Sequence, residues 1–125
     1  MKYEQDFIMR IIKTLVEALG RIIFNKKGPL YEIDEANPYA VGDDLYGRLC
    51  GLADAGKINE AENELYDRLP RGDMDYLEMG LGFYYHLNTY DEAFLQENRY
   101  SREEIKEGIE TLLKEYGMES MMDII

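Results

Sequence analysis

Several residue types that build well-known sites are scarce in this chain of 125 residues. It has one Cys, one His and no Trp. A single Cys cannot form an internal disulfide, and one Cys with one His cannot supply the ligands of a structural zinc site. No apolar run approaches the ~20 residues with which a helix crosses a bilayer. These absences argue against disulfide frameworks, zinc modules and membrane-spanning helices.

Positive charge is also scarce. Lys and Arg number 14 against 26 Asp and Glu, which gives a formal net charge of −12. Such acidity opposes the binding of nucleic acid and makes docking on an anionic membrane unfavourable. Arg10 and Lys13 interrupt the apolar stretch near the N-terminus, so it does not have the form of a signal peptide. With one free thiol, we expect a reducing cytoplasm.

The charge that is present is unevenly distributed along the chain. Residues 1–30 carry six basic and three acidic residues, a net charge of +3. The remaining 95 residues carry eight basic and 23 acidic residues, a net charge of −15. Apolar residues make up 46% of the chain, which is enough for the packed core of a single domain spanning 1–125.

Residues 6–25 have the pattern of one long amphipathic helix. Its apolar residues recur at steps of three and four and cover an arc of about 200°. An arc that wide indicates either that the helix sits deep in its own domain or that a second chain buries part of it, and through this second interpretation we predict a homodimer. The alternative is that this basic helix is an arm that docks on a membrane surface or an acidic partner. The predicted dimer or docking face comprises Phe7, Ile8, Ile11, Ile12, Leu15, Leu19, Ile22 and Ile23.

The rest of the chain is predicted to be all-α, with about six or seven helices in total. Residues 26–42 are punctuated by Pro and Gly but carry apolar side chains, which predicts an ordered connector. Residues 43–97 follow as two helical hairpins, and 101–125 as C-terminal capping helices. Ser101 and Glu104 form a capping-box pattern, and Gly117 is placed to end the helix that begins there.

Sliding the chain along itself by 32 residues aligns the two predicted hairpins. Leu45 then falls on Leu77, and Gly56 on Asn88, where a helix-to-helix turn calls for residues that tolerate positive φ. The stretch Tyr84-Tyr-His-Leu-Asn-Thr-Tyr-Asp-Glu-Ala93 resembles the centre of a tetratricopeptide repeat, and Leu52-Ala-Asp-Ala-Gly-Lys-Ile-Asn-Glu-Ala61 resembles the same stretch. This resemblance implies a right-handed array of antiparallel hairpins. The opening residues Tyr3-Glu-Gln-Asp-Phe-Ile-Met-Arg-Ile-Ile12 are similar to those of a short bacterial family of unknown function.

In tetratricopeptide hairpins, the first helix of each repeat lines a concave groove for a peptide or protein. Transferring those positions gives a candidate interaction groove of Tyr46, Cys50, Asp54, Glu78, Tyr85 and His86. Tyr is common on recognition surfaces, which favours a binding role. The alternative is that these tyrosines only pack helices together, with their hydroxyls at the rim.

No sequence pattern points to catalysis. Acidic clusters such as Asp43-Asp44 lack the spacing of a calcium loop, and no Glu-x-x-His pair or phosphate-binding Gly-rich loop is present. Cys50 lies among leucines and is predicted to be a buried, inert thiol. We therefore predict a non-enzymatic protein-interaction module with no cofactor or metal. A small enzyme using His86 and carboxylates remains an alternative.

Overall fold

The computed structural model describes residues 2–25, 43–68 and 73–124. All regular secondary structure in these ranges is helical, which confirms the all-α class. The predicted connector 26–42 lies outside the described residues. The helices are α1 Lys2–Phe24, α2 Asp43–Asp54, α3 Ile58–Arg68, α4 Met74–Leu87, α5 Glu92–Glu97, α6 Arg102–Glu115 and a C-terminal 3₁₀ helix Glu119–Ile124.

Local capping chemistry sets several of these boundaries. The side chain of Ser101 accepts from the backbone N–H of Glu104, and Glu104 accepts from the backbone N–H of Ser101, so the predicted capping box begins α6. Gly56 and Gly117 adopt positive φ values of 85° and 68° where α2 and α6 end. Asn25 follows α1 at φ 54°, another left-handed residue after a helix. Residues close in sequence therefore supply the caps at these ends.

Helix α4 is the centre of the core. Every residue from 77 to 84 is buried, and α1, α2 and α6 pack around it. Gly80 lies where α4 meets α6, because a Cβ there would stand 2.7 Å from Cδ2 of Leu112. On α1, four apolar residues are essentially inaccessible and face α4, α6 and the 3₁₀ helix. They are Ile12, Leu15, Val16 and Leu19.

The tetratricopeptide arrangement is not confirmed. Helices α2 and α3 form a closely packed hairpin, but α5 has only six residues and makes no extensive contact with α4. Helices α6 and α1 pack on α4 instead. Arg99 ends the α5 segment at φ 57°, after which the chain turns into α6. The second hairpin of the sequence repeat is therefore replaced by a short helix and a different packing partner.

The backbone of Asn88 differs from what the repeat alignment predicted. It has φ −71° and so does not need the left-handed region that its alignment with Gly56 predicted. Instead its side chain is buried, and its Nδ2 donates to the backbone oxygen of Met9 at 2.9 Å. Asn88 therefore connects the end of α4 to α1, a contact between distant parts of the chain that sequence spacing could not show.

Candidate functional site

The structure brings two of the predicted groove residues into direct contact. Asp54 ends α2 and His86 lies in the last turn of α4, and His86 Nε2 is 2.8 Å from Asp54 Oδ1. The hydroxyl of Tyr90 donates to the same carboxylate oxygen at 2.5 Å and lies 3.1 Å from His86 Nε2. We call these three residues the Asp54 cluster. Asp54 and His86 occupy equivalent positions of the 32-residue repeat, and they meet because α2 and α4 pack side by side.

The electrostatics of the Asp54 cluster follow from its partial exposure. Burial raises the pKa of the Asp54 carboxyl, but hydrogen bonds from Tyr90 and His86 outweigh burial and hold that pKa below its ordinary value. Burial and the Asp54 carboxylate raise the pKa of Tyr90. The Asp54 side chain is 59% exposed and that of His86 is 27% exposed. The cluster is therefore a surface hydrogen-bond network that remains accessible to solvent.

Cys50 and Tyr46 lie one and two turns before Asp54 on α2. Burial, with a contribution from the Asp54 carboxylate, raises the pKa of the Cys50 thiol to about 11, although a hydrogen bond with Tyr46 lowers it. A thiol with that pKa stays protonated at neutral pH and is a poor nucleophile. Cys50, which lies next to the Asp54 cluster, is therefore not an activated nucleophile.

The other two predicted groove residues lie elsewhere. Glu78 is buried in the middle of α4, at 9% exposure. Tyr85 faces α1, where its hydroxyl lies 3.4 Å from Oε1 of Glu17. The structure therefore divides the six predicted groove residues between the α2–α4 surface, the core and the α1–α4 junction.

A second polar network, centred on Glu62 of α3, was not anticipated from the sequence. Its Oε2 accepts hydrogen bonds from Tyr84 at 2.7 Å and Tyr100 at 2.9 Å. The hydroxyl of Tyr66 lies 2.9 Å from that of Tyr84 and donates to the backbone oxygen of Gly108 at 3.1 Å. The network joins α3, α4, α6 and the turn before α6. The high content of tyrosine, 11 residues, was a general signal for such pairing but did not identify partners.

Among the described residues, Arg102 is a buried basic side chain, with 3% exposure. Its Nη1 donates to the backbone and side-chain oxygens of Asn88, both at 3.0 Å, and its Nη2 donates to the backbone oxygen of Tyr90 at 2.6 Å. Burial lowers the pKa of Arg102, against the attraction of Glu92 and other nearby carboxylates. The guanidinium thus satisfies backbone carbonyl groups at the end of α4 and in the turn that follows it.

A cavity of about 730 Å³ lies between the start of α1 and the segment from Thr89 to Gln96. Asp6, Asp91 and Glu92 contribute carboxylates to its wall, and Met9 and Ala93 contribute apolar surface. Neither His86 nor Cys50 lines it. Among the described residues, no group of three His, Cys, Asp or Glu side chains could hold a metal ion. Tyr90 of the Asp54 cluster also lines this cavity.

The predicted dimer or docking face of α1 is divided by the fold. Ile12, Leu15 and Leu19 are buried within the chain. Ile8, Ile11 and Ile23 are partly exposed. Phe7 remains 65% exposed and Ile22 58% exposed. None of the helices in the described ranges is long and apolar enough to cross a membrane.

Comparison with known protein families gives a match over most of the chain. Residues 2–117 match the model of DUF6483, which is described as a family of unknown function. No curated protein and no solved structure matches the chain significantly. The match spans α1 through α6, so it covers the whole helical core and both networks described above.

Proposed function

Because the chain belongs to DUF6483, a family of unknown function, we propose from its own surface that it is a non-enzymatic protein-interaction module that forms a homodimer. The supporting observation is an exposed apolar strip on α1. At 100° per residue, four residues fall within about 60° of the helix circumference. We call this strip the α1 edge; it consists of Phe7, Ile11, Ala18 and Ile22.

The α1 edge stands out from the remaining surface. The described part of the chain exposes three large apolar side chains, and two of them, Phe7 and Ile22, are on this edge. The third, Met74, lies apart at the start of α4. Ile11 and Ala18, between the two ends of the edge, are only partly buried. A continuous strip of this kind is typical of a surface that another helix covers.

The dimensions and energetics of α1 suit such an interface. A helix of 23 residues is about 35 Å long, long enough for extended contact with a partner. Fully burying a Phe or Ile side chain contributes about 1.5–3 kcal/mol. In a symmetric dimer each buried side chain counts twice, because both copies present the same surface. The strip can therefore drive association, subject to the entropic cost of binding.

The same geometry makes a detachable arm less favourable than a fixed helix. Releasing α1 to dock on a membrane or an acidic partner would expose Leu15, Val16 and Leu19, which are almost fully buried. Each would lose about 1.5–3 kcal/mol of burial. The inner face of α1 is therefore part of the core, and only its outer edge is available for a partner.

Sedimentation-velocity ultracentrifugation at tens of micromolar tests this proposal. We expect the wild-type chain to sediment as a dimer of 14.6 kDa subunits, and the double variant Phe7→Ser/Ile22→Ser to sediment as a folded monomer. Met74→Ser removes the third exposed apolar side chain as a matched control and should leave the dimer intact. Circular dichroism confirms that each variant is folded. A wild-type chain that remains monomeric at about 100 micromolar associates too weakly to be a stable dimer and overturns the homodimer.

A further inference from the structure

Building on the proposed function, we infer that the second copy docks antiparallel along the α1 edge, about a two-fold axis beside Thr14. The four residues of the edge are arranged symmetrically along the helix. Phe7 and Ile22 lie at its ends, and Ile11 and Ala18 lie at equal distances inside them. An antiparallel second copy places Phe7 against Ile22 of the partner subunit and Ile11 against Ala18 of the partner subunit. In each of these pairs, a larger side chain then lies against a smaller one.

Thr14 is suitable for the centre of such a contact. It lies on the exposed side of α1, about 20° from the α1 edge at 100° per residue. Its side chain is small, so two helices can approach closely where they cross. On the other side of the edge, Leu15 and Leu19 are buried against the body. A second copy is therefore limited to the edge and the charged surface that adjoins it.

That charged surface carries the strongest argument for orientation. Asp6, Arg10, Glu17 and Arg21 follow one another on the flank beside the edge. Asp6, Arg10 and Arg21 are exposed, although the Asp6 carboxylate also borders the cavity and attracts Arg102. Glu17 is partly buried where the Tyr85 hydroxyl approaches it. Their charges alternate in sign, and their positions are symmetric about the middle of the helix. The flank is therefore complementary to its own reversed copy.

An antiparallel two-fold arrangement brings the same flank of both helices together. Asp6 then faces Arg21 of the partner subunit, and Arg10 faces Glu17 of the partner subunit, each pair occurring twice. A parallel two-fold arrangement places this flank of the two copies on opposite sides of the contact, so none of these four pairs would form. Exposed pairs contribute modestly, about 0.2–1 kcal/mol each, and like charges oppose association by similar amounts. Apolar burial thus provides affinity, and the charges select the orientation.

Charge reversal combined with measurement of the dimer dissociation constant tests the inference. Arg21→Asp turns two attractive contacts into two repulsive ones, so we expect the dimer dissociation constant to rise roughly tenfold. The double variant Asp6→Arg/Arg21→Asp exchanges the two charges and should restore the constant to within about threefold of wild type by the same pairwise energies. Lys57→Asp, at an exposed position in the α2–α3 turn, changes the net charge equally and should have little effect.

The outcomes separate this inference from the proposed function. A wild-type monomer contradicts the homodimer itself. A wild-type dimer in which Arg21→Asp behaves like Lys57→Asp retains the homodimer but overturns the antiparallel pairing. The pairing is also overturned if Arg21→Asp weakens the dimer and the exchanged double variant does not recover. Thermal unfolding followed by circular dichroism verifies that every variant keeps its fold.

Discussion

At the scale of single residues, the described structure contains two kinds of polar arrangement. The Asp54 cluster is open to solvent and combines residues from α2, α4 and the turn that follows α4. The Glu62 network is more deeply placed, and its Tyr84 side chain is fully buried. Burial raises the pKa of Tyr84 strongly, so this phenol remains a neutral hydrogen-bond donor to Glu62. The first arrangement can respond to solution conditions, whereas the second holds helices together.

The Asp54 cluster predicts a pH-dependent contribution to stability. A carboxyl whose pKa is lower in the folded than in the unfolded state stabilises the fold above about pH 3.9, and this contribution is lost as the pH falls through the folded-state pKa. We expect Asp54→Asn to lower the free energy of unfolding at pH 7, and the difference from wild type to shrink below about pH 4. Urea denaturation at several pH values measures this difference in the free energy of unfolding.

Asp67→Asn, on the exposed side of α3, controls for the loss of one negative charge. It should change the free energy of unfolding less than Asp54→Asn does at pH 7, because exposed carboxylates outside such networks contribute little. If the cost of Asp54→Asn were the same at pH 7 and at pH 3, the hydrogen bonds from Tyr90 and His86 would not depend on the ionised carboxylate.

At the scale of helices, glycine decides how closely α4 and α6 approach. A Cβ on Gly108 of α6 would overlap the ring of Tyr84 in α4. In α2, by contrast, Gly51 is exposed and a Cβ there would meet no atom within 4 Å. The same substitution to alanine should therefore have opposite effects at these two helical positions.

We expect Gly51→Ala to stabilise the protein by about 0.5–1 kcal/mol, because alanine has the higher helix propensity. Gly108→Ala gains the same propensity but forces Tyr84 to move, which costs about 1–3 kcal/mol in a packed core, so the net effect should be destabilising. Urea denaturation at 25 °C of the two variants and wild type measures the sign directly. A stabilising Gly108→Ala would show that α4 and α6 are less tightly packed than described.

At the scale of the whole molecule, the net charge of −12 is the dominant electrostatic property. Self-repulsion of this size destabilises a compact state, and salt screens it. The segment 1–30, which includes all of α1, carries a net positive charge and the remainder carries the negative excess. Helix α1 itself carries four basic and three acidic residues, a net charge of +1, so attraction to the acidic remainder adds only slightly to the burial that holds α1 against α4 and α6.

We expect the urea midpoint to rise when NaCl is increased from about 0.01 M to 0.15 M, because the screening length falls from about 30 Å to about 8 Å. The measurement uses Phe7→Ser/Ile22→Ser, so that salt effects on dimerisation do not enter. KCl at equal ionic strength should produce the same shift, since screening does not depend on the cation. A midpoint that falls with salt would mean that attraction between α1 and the acidic body outweighs the self-repulsion.

How much could be predicted from the sequence depended on the range of the interactions involved. The Ser101–Glu104 capping box and the glycines at 56 and 117 depend on neighbours within a few residues, and they were located correctly. The apolar period identified α1, but it could not show that Phe7 and Ile22 stay exposed while Leu15 becomes buried. That division depends on where α4 and α6 pack, which is a property of the assembled core.

The sequence by itself determined the all-α class, the helix ends with local caps and the opposed net charges of residues 1–30 and the remaining chain. Only the tertiary structure decided that α4 packs on α1 and α6 rather than on an extended α5, that Asp54 meets His86, and that Glu62 receives Tyr84 and Tyr100. Capping and helical periodicity are local, whereas hydrogen bonds between residues 22 to 38 positions apart require the folded chain to place them together. The exposed edge of α1 is likewise what remains after that packing is complete.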